Sequence, residues 1–399
     1  MTSEWRDMTL GDFVGLQRGH DLTEPERRVG RVPVMGSAGQ NGFHDTALAK
    51  GPGIVIGRSG ASFGQVHFSP VDYWPHNTAL YVTDFKGNDP RFAFYFLKAL
   101  DFDRYNSGSA QPSLNRNFIY PISVRVPKPA EQKAIAGVLG ALDDKIELNR
   151  RMNAPLETMA RALFQSWFVD FDPVRAKLDG HNPIGVDENT AVLFPAAFQD
   201  SPLGPIPQDW RAGTLNDAFN LTMGQSPPGE TYNEDGNGMP FYQGRTDFGF
   251  RFPTRRVFCT APTRLAKRGD TLVCVRAPVG DTNMADEDCC VGRGVAAVRH
   301  RSGATSFTYH TMANLAPDFA RFEADGTVFG SINKQNFHDL PCVIPPAEIV
   351  AAYERQAAPL DEQIRTLEHQ SRTLAALRDT LLPKLLSGEV RVPTSVCST

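Results

Sequence analysis

Along most of the chain apolar residues fall in short runs with a period near two, but in two places the period lengthens to about 3.5 and holds there. In the first, Ile135, Leu142, Asn149, Leu156 and Leu163 stand seven apart, and Leu139, Ile146, Asn153, Ala160 and Trp167 interleave four positions later. In the second the series is Tyr353, Leu360, Leu367, Leu374 and Leu381. Adding 218 to each member of the first series gives the second, so the two segments share one heptad phase. That is the pattern of a coiled-coil seam. Asn149 and Asn153 lie on it, where buried amides cost stability but fix register and orientation. Pro155 inside the first segment, and Pro359 near the start of the second, each oppose a straight helix by about 3 kcal/mol. Because the phase continues across both, kinked helices are expected. The alternative is that each helix packs only on its own domain, as most amphipathic helices do; five heptads is long for that task.

The helices belong to a larger repeat. "LDDKIELNRR" at 142 returns as "LDEQIRTLEHQ" at 360, and "EWRDMTLGD" at 4 returns as "DWRAGTLND" at 209. Each helical segment follows a Gly-, Pro- and aromatic-rich part with short β-type runs: "GIVIGR" (53–58) and "ISVRV" (122–126), then "TLVCVRAP" (271–278) and "GVAAVRH" (294–300). Each such part ends on a polar loop and a proline step, "NSGSAQPSLNRNF" before "VPKPAEQ" and "DGTVFGSINKQNF" before "IPPAEIV". At 399 residues the chain exceeds one ordinary core. The expected organisation is a first β-rich head at 1–128, a first spacer helix at 129–178, a linker at 179–206, a second head at 207–345, a second spacer helix at 346–392 and a tail at 393–399. Prolines 183, 195, 202 and 205 suit an ordered connector better than a helix or strand in the linker. The fold class is α+β: two β-rich heads, two long antiparallel coiled-coil helices, and an internal pseudo-twofold repeat.

Composition changes this picture little. The chain is 41% hydrophobic and 22% charged, with no apolar run near membrane-spanning length and no secretory pattern at its start. Six cysteines, at 259, 274, 289, 290, 342 and 397, lack C-x-x-C spacing and read as reduced structural thiols, pointing to a cytoplasmic protein. Net charge is −4, yet between Arg245 and Arg276 eight Lys or Arg face only Asp247 and Asp270. Beside the repeat, that region reads as a phosphate-facing surface.

Catalytic motifs are scarce. "GRSGASFG" (57–64) lacks the Lys-Ser/Thr of a P-loop, and "VGRGVAAV" (291–298) carries two glycines of a dinucleotide fingerprint without the third. "SPPG" (226–229) lacks the residues that would hold a target amino group and reads as a turn. No metal-site spacing is present. These features favour a binding protein over an enzyme. Two unlike heads on matched helices of about 35 residues, roughly 50 Å each, suit the reading of two half-sites along a linear polymer. The polar loops carry Asn, Gln and Arg, the side chains that pair two-handedly with adenine or guanine.

Across almost its whole length the chain resembles the specificity subunits of Type I restriction–modification enzymes. The resemblance rests on the paired "WR…TL.D" and "P-A-E" segments, on "LDDKIELNRRMNAPLETMARALFQSWFVDFDPVRAK" (142–177), on "LLPKLLSGEVRV" (381–392) and on "MGQSPPGETYNEDGNGMPFYQGRTDF" (223–248). It implies that each head is a target recognition domain for half of a bipartite, asymmetric site in double-stranded DNA, and that the helices set the gap. It also implies that those helices dock two methyltransferase subunits and that motor–nuclease subunits join for restriction. No cofactor is expected in this chain; S-adenosylmethionine, ATP and Mg are expected in the partner subunits, and no membrane is involved.

By side-chain chemistry and loop position the candidate DNA contacts are Arg58, Ser59, Gln111, Asn115, Arg116, Arg255, Arg256, Arg276, Asn333 and Lys334. The candidate seam and docking residues are Ile135, Leu139, Leu142, Ile146, Leu156, Leu163, Tyr353, Leu360, Leu367, Leu374 and Leu381. Two alternatives stay open: a coiled-coil protein-interaction adaptor, and a divergent self-contained DNA methyltransferase.

Overall fold

The structure, a computed structural model, describes residues 5–108, 112–324 and 330–393. The chain divides into two compact units, one formed by residues 1–148 with 370–399 and the other by 149–369. Each unit therefore takes part of both long helices.

In the first unit a four-stranded antiparallel sheet runs in the order Gly15–Arg18, Ala79–Asp84, Gly53–Gly57, Val66–Ser69. Every residue of Gly53–Gly57 is buried, as a continuous apolar run in a central strand should be. Beside it lie a three-stranded sheet of Gly39–His44, Val32–Gly36 and Trp74–Pro75, and a ladder joining Arg6–Thr9 to Ser123–Val126. The helix Pro90–Lys98 starts on Asp89, whose carboxylate accepts from the backbone N–H of Arg91 and Phe92. Its Phe92 and Phe96 share one core with Ile54 and Ile56 of the sheet, Ile135 and Leu139 of the first long helix, and Leu385 of the second.

The second unit repeats the plan. Its four-stranded sheet runs Phe219–Met223, Val295–His300, Thr271–Cys274, Thr282–Met284, and a ladder joins Arg211–Thr214 to Pro341–Ile344. A parallel pairing of Met239–Tyr242 with Cys289–Val291 matches that of Val32–Gly36 with Trp74–Pro75. The repeated "TL.D" segments have a local cause. Thr9 with Asp12, and Thr214 with Asp217, form capping boxes that start the short helices Leu10–Phe13 and Leu215–Ala218.

The long helices span Pro129–Phe168 and Ala347–Ser387, 40 and 41 residues, so each is roughly 60 Å at 1.5 Å per residue. Both continue without interruption through Pro155 and Pro359, whose exposed rings face away from the buried positions. Within the first unit Arg378 Nη1 donates to Asp143 Oδ1 at 2.6 Å. Within the second, Asn149 Nδ2 donates to the Leu367 carbonyl at 3.4 Å, Asn153 Nδ2 to Glu368 Oε1 at 2.7 Å, and the Tyr353 hydroxyl to the Ala160 carbonyl at 3.4 Å. Rising numbers on one helix meet falling numbers on the other, so the segments are antiparallel. Ile135, Leu139, Ile146, Asn149, Asn153, Ala160, Trp167, Tyr353 and Leu367 are buried, while Leu142, Leu156, Leu163, Leu360, Leu374 and Leu381 are half-buried. The helices also dock on the heads: Trp167 and Tyr353 sit in the second unit's core, as Ile135 and Leu139 do in the first's. The seam and the domain-packing alternative thus coexist on one helix face.

Two expectations need correction. The linker is not free of helix: Asp187 accepts from the Thr190 N–H and starts a helix at Glu188–Leu193, between the prolines at 183 and 195. Nor is the stretch Arg245–Arg276 one cationic face. Arg251 is wholly buried, and Arg255, Arg256 and Lys267 are ion-paired to Glu287, Asp247 and Asp288. Those acids lie nearby in space, two of them outside the stretch.

Candidate nucleic-acid interface

In the first head the strand Gly53–Gly57 ends on Arg58, which opens into a cleft of about 540 Å³ lined also by Gln17, Arg18, His20, Asn115 and Arg116. Arg58 Nη1 donates to the Asn77 carbonyl at 3.0 Å and Arg116 Nη1 to the Leu16 carbonyl at 2.8 Å. Both guanidinium groups are therefore aimed by backbone while keeping further donors for a ligand. The polar loop reaches the cleft because it pairs with the strand end: Ser59 bridges to Ser113, and the Leu114 N–H donates to the Arg58 carbonyl at 2.8 Å. Asn115 caps the helix Arg116–Ile119 by accepting from the Asn117 N–H at 3.0 Å. Asp21 supplies a carboxylate, taking Arg18 Nη2 at 3.3 Å and the Asn77 side-chain amide.

The second head builds the corresponding junction with its arginine one position later, Val275 standing in the place of Arg58 and Arg276 in that of Ser59: the Val275 N–H donates to the Gly294 carbonyl at 2.9 Å as the Arg58 N–H does to the Thr78 carbonyl at 2.9 Å. Arg276 follows the strand Thr271–Cys274 and bridges to Ser331; the Ile332 N–H donates to the Val275 carbonyl at 3.0 Å. Asn333 caps the helix Lys334–His338, accepting from the Asn336 N–H at 2.8 Å. The adjoining cleft, about 580 Å³, is lined by Gln243, Arg245, Thr246, Arg276 and Arg293 and carries no carboxylate in its lining among the described residues. Asn333 and Lys334 are exposed but lie outside that lining. Arg255 and Arg256 also stand elsewhere, held by Glu287 at 2.5 Å and Asp247 at 3.0 Å. Gln111 lies outside the described residues.

The thiols are placed for packing. Burial pushes Cys274 and Cys342 up to about 12, and raises Cys289 and Cys290 as well, so none is a thiolate near neutrality. Among the described residues no cluster of three His, Cys, Asp or Glu is arranged to hold a metal, and no helix is long and apolar enough to cross a membrane.

A family model for the Type I restriction modification DNA specificity domain matches residues 2–158 and, a second time, residues 207–375. The chain belongs to this family. The two matches reproduce the internal repeat. Among similar proteins, the putative type I restriction enzyme MjaX specificity subunit of Methanocaldococcus jannaschii is 27% identical over 315 residues, covering 77% of this chain and 69% of that one. The type I restriction enzyme HindI specificity subunit of Haemophilus influenzae is 24% identical over 365 residues, covering 75% and 77%. In fold the chain is similar to the S subunit of a Type I restriction–modification system from M. genitalium, with a TM-score of 0.63, 16% identity and 96% of each chain covered. Like other members of the specificity family, the chain is a non-catalytic DNA sequence-recognition subunit.

Within this specificity-family fold, the structure gathers Arg58, Asn115 and Arg116 around one cleft and Arg276 around its counterpart. Sequence reasoning missed Gln17, Arg18, His20 and Asp21, which arrive on the strand Gly15–Arg18 and the loop after it, and Gln243, Arg245 and Arg293 in the second head. One signal was available for Arg293: it is the arginine of the "GRG" within "VGRGVAAV". That motif is the turn between the strands Cys289–Val291 and Val295–His300, and it opens no helix such as a dinucleotide site requires.

Proposed function

We propose that each cleft reads one half of a bipartite, asymmetric target in double-stranded DNA, and that the paired long helices set the gap between the halves. On this reading the outward faces of the helices dock two methyltransferase subunits, and motor–nuclease subunits join them for restriction. The observation that carries the proposal is the repeated junction: the same strand end and Asn-capped loop recur in both heads, with an arginine at adjacent places of that strand end, Arg58 and Arg276, and unlike side chains around them. A repeated frame with unlike lining is what two different half-sites demand. Phosphate contacts would hold the complex in register, and base contacts would choose the sequence. S-adenosylmethionine, ATP and Mg belong to the partner subunits, as does extrusion of the target adenine from the stack. The assembly works in the cytoplasm.

The test is reconstitution with methyltransferase subunits and sequencing of the methylated adenines. The expected result is one split target, with methylation absent for the chain alone. Exchanging the second head, 207–345, for an unrelated one should then change only one half. Methylation without sequence preference, or both halves changing together, overturns the proposal. Binding should also weaken steeply with salt, since phosphate neutralisation releases counterions; a flat dependence would favour a protein adaptor.

A further inference from the structure

Resting on that reading, we infer that the second head recognises a guanine in its half of the target through Arg293, with Arg276 beside it. Arg293 is an exposed side chain on a turn that cannot drift. The Gly292 N–H donates to the Tyr242 carbonyl at 2.9 Å, the Val295 N–H to the Gly292 carbonyl at 2.9 Å, and the Val275 N–H to the Gly294 carbonyl at 2.9 Å. A Cβ on Gly294 would meet the Gln243 carbonyl oxygen at 2.2 Å, so the turn is pressed onto the neighbouring strand end. The three arginines of the cleft are not alike. Arg245 is paired to Asp281, whereas Arg276 and Arg293 make no ion pair among the described residues. Two forked cations on fixed backbone, in a cleft with no lining carboxylate among the described residues, match the paired N7 and O6 acceptors that guanine shows in the major groove.

The first head shows what the alternative chemistry looks like. Its parallel strand pairing puts Asn77 where the second head has Arg293, and a carboxylate, Asp21, takes the Asn77 amide. That cleft contains its own acceptor, so the guanine preference is assigned to the second head alone. A phosphate-binding arginine would need no such rigid mounting; a base-reading one does, because discrimination depends on holding the fork in plane with the base edge.

The experiment uses the complex reconstituted with methyltransferase subunits and its mapped target. 7-Deazaguanine, which lacks the N7 acceptor, is placed singly at each guanine of the second half. One position should weaken binding by the wild-type complex and have no further effect on Arg293→Ala. Arg293→Ala and Arg293→Lys should both lose roughly tenfold to a hundredfold of the preference at that base pair, the range a bidentate pair supplies, with the first half unchanged. Three results overturn the inference: no sensitive guanine in the second half, equal weakening of cognate and unrelated DNA by Arg293→Ala, or loss of preference in the first half. Should Arg293→Ala fail to assemble, the 7-deazaguanine scan of the wild-type complex decides alone. A wild-type complex with no sequence preference would instead sink the parent reading, so the two failures are distinguishable.

Discussion

Asn149 and Leu367 are separated by 218 residues, the interval of the repeat itself, and they touch: Asn149 Nδ2 donates to the Leu367 carbonyl at 3.4 Å. Two positions made equivalent by the sequence repeat meet each other across the antiparallel helix pair. They are not the same residue, however, and the amide is wholly buried. An apolar side chain there would pack as well or better, whereas an amide restricts how the helices can slide. Asn149→Leu is therefore expected to leave chemical stability unchanged or raised while admitting self-associated species. Asn149→Asp, which buries a charge, should cost about 3 kcal/mol or more. Urea unfolding and light scattering of the two variants check both halves; a destabilised, monodisperse Leu variant would refute the register role.

The same offset relates Asp143 to Asp361, and each ties a head to the helices. Asp143 accepts from the Tyr95 hydroxyl at 2.5 Å and from Arg378 at 2.6 Å. Asp361 accepts from Arg251 at 2.5 Å, and Arg251 also pairs with Glu157 and lies over the Tyr309 ring at 3.9 Å. Because Arg251 is wholly buried, Arg251→Met would strand two carboxylates and should destabilise the second unit by about 3–5 kcal/mol. Replacing Glu157 and Asp361 by Leu in the same chain should recover most of that loss. Urea denaturation decides, and an additive triple variant would argue against a coupled cluster.

The capping boxes predict a pH signature. The Thr9 hydroxyl and N–H hold the Asp12 carboxyl below its usual range, and the Thr214 N–H and hydroxyl do so for Asp217. A carboxylate depressed on folding stabilises above its unfolded pKa, about 3.9, and that contribution disappears as pH falls through the folded value. Asp12→Asn and Asp217→Asn should melt slightly below wild type from pH 5 to 8, with the gap closing under about pH 4. A gap that widened in acid would contradict the assignment.

How far the sequence carried is plain from these residues. The seam was legible because heptad spacing is periodic and Asn149, Trp167 and Tyr353 all fall on it. Capping boxes and strand runs were legible because they are local. The clefts were only half visible. Arg58 and Asn115 announced themselves by residue type and loop position, but their companions Gln17 and His20 come from about 40 residues upstream of Arg58. Which arginine is free also depends on acids distant in sequence: Glu287 claims Arg255 and Asp281 claims Arg245. Charge counting cannot see that pairing.

That distinction yields a last prediction. Arg58 lines the first cleft with its fork aimed by the Asn77 carbonyl, while Arg255 lies outside the second cleft and is paired to Glu287 at 2.5 Å. If the clefts read bases, Arg58→Ala should relax the first half of the methylation target at one base pair by about 1–3 kcal/mol and leave the second half intact. Arg255→Ala should keep both halves, with at most a shallower salt dependence of binding, since an exposed ion pair contributes little and a phosphate contact carries no sequence information. Methylome sequencing of cells expressing each variant complex reads both outcomes at once. Loss of specificity with Arg255→Ala and none with Arg58→Ala would move the reading surface of the second head away from its cleft to where Arg255 and Arg256 stand, and would remove the clefts from recognition.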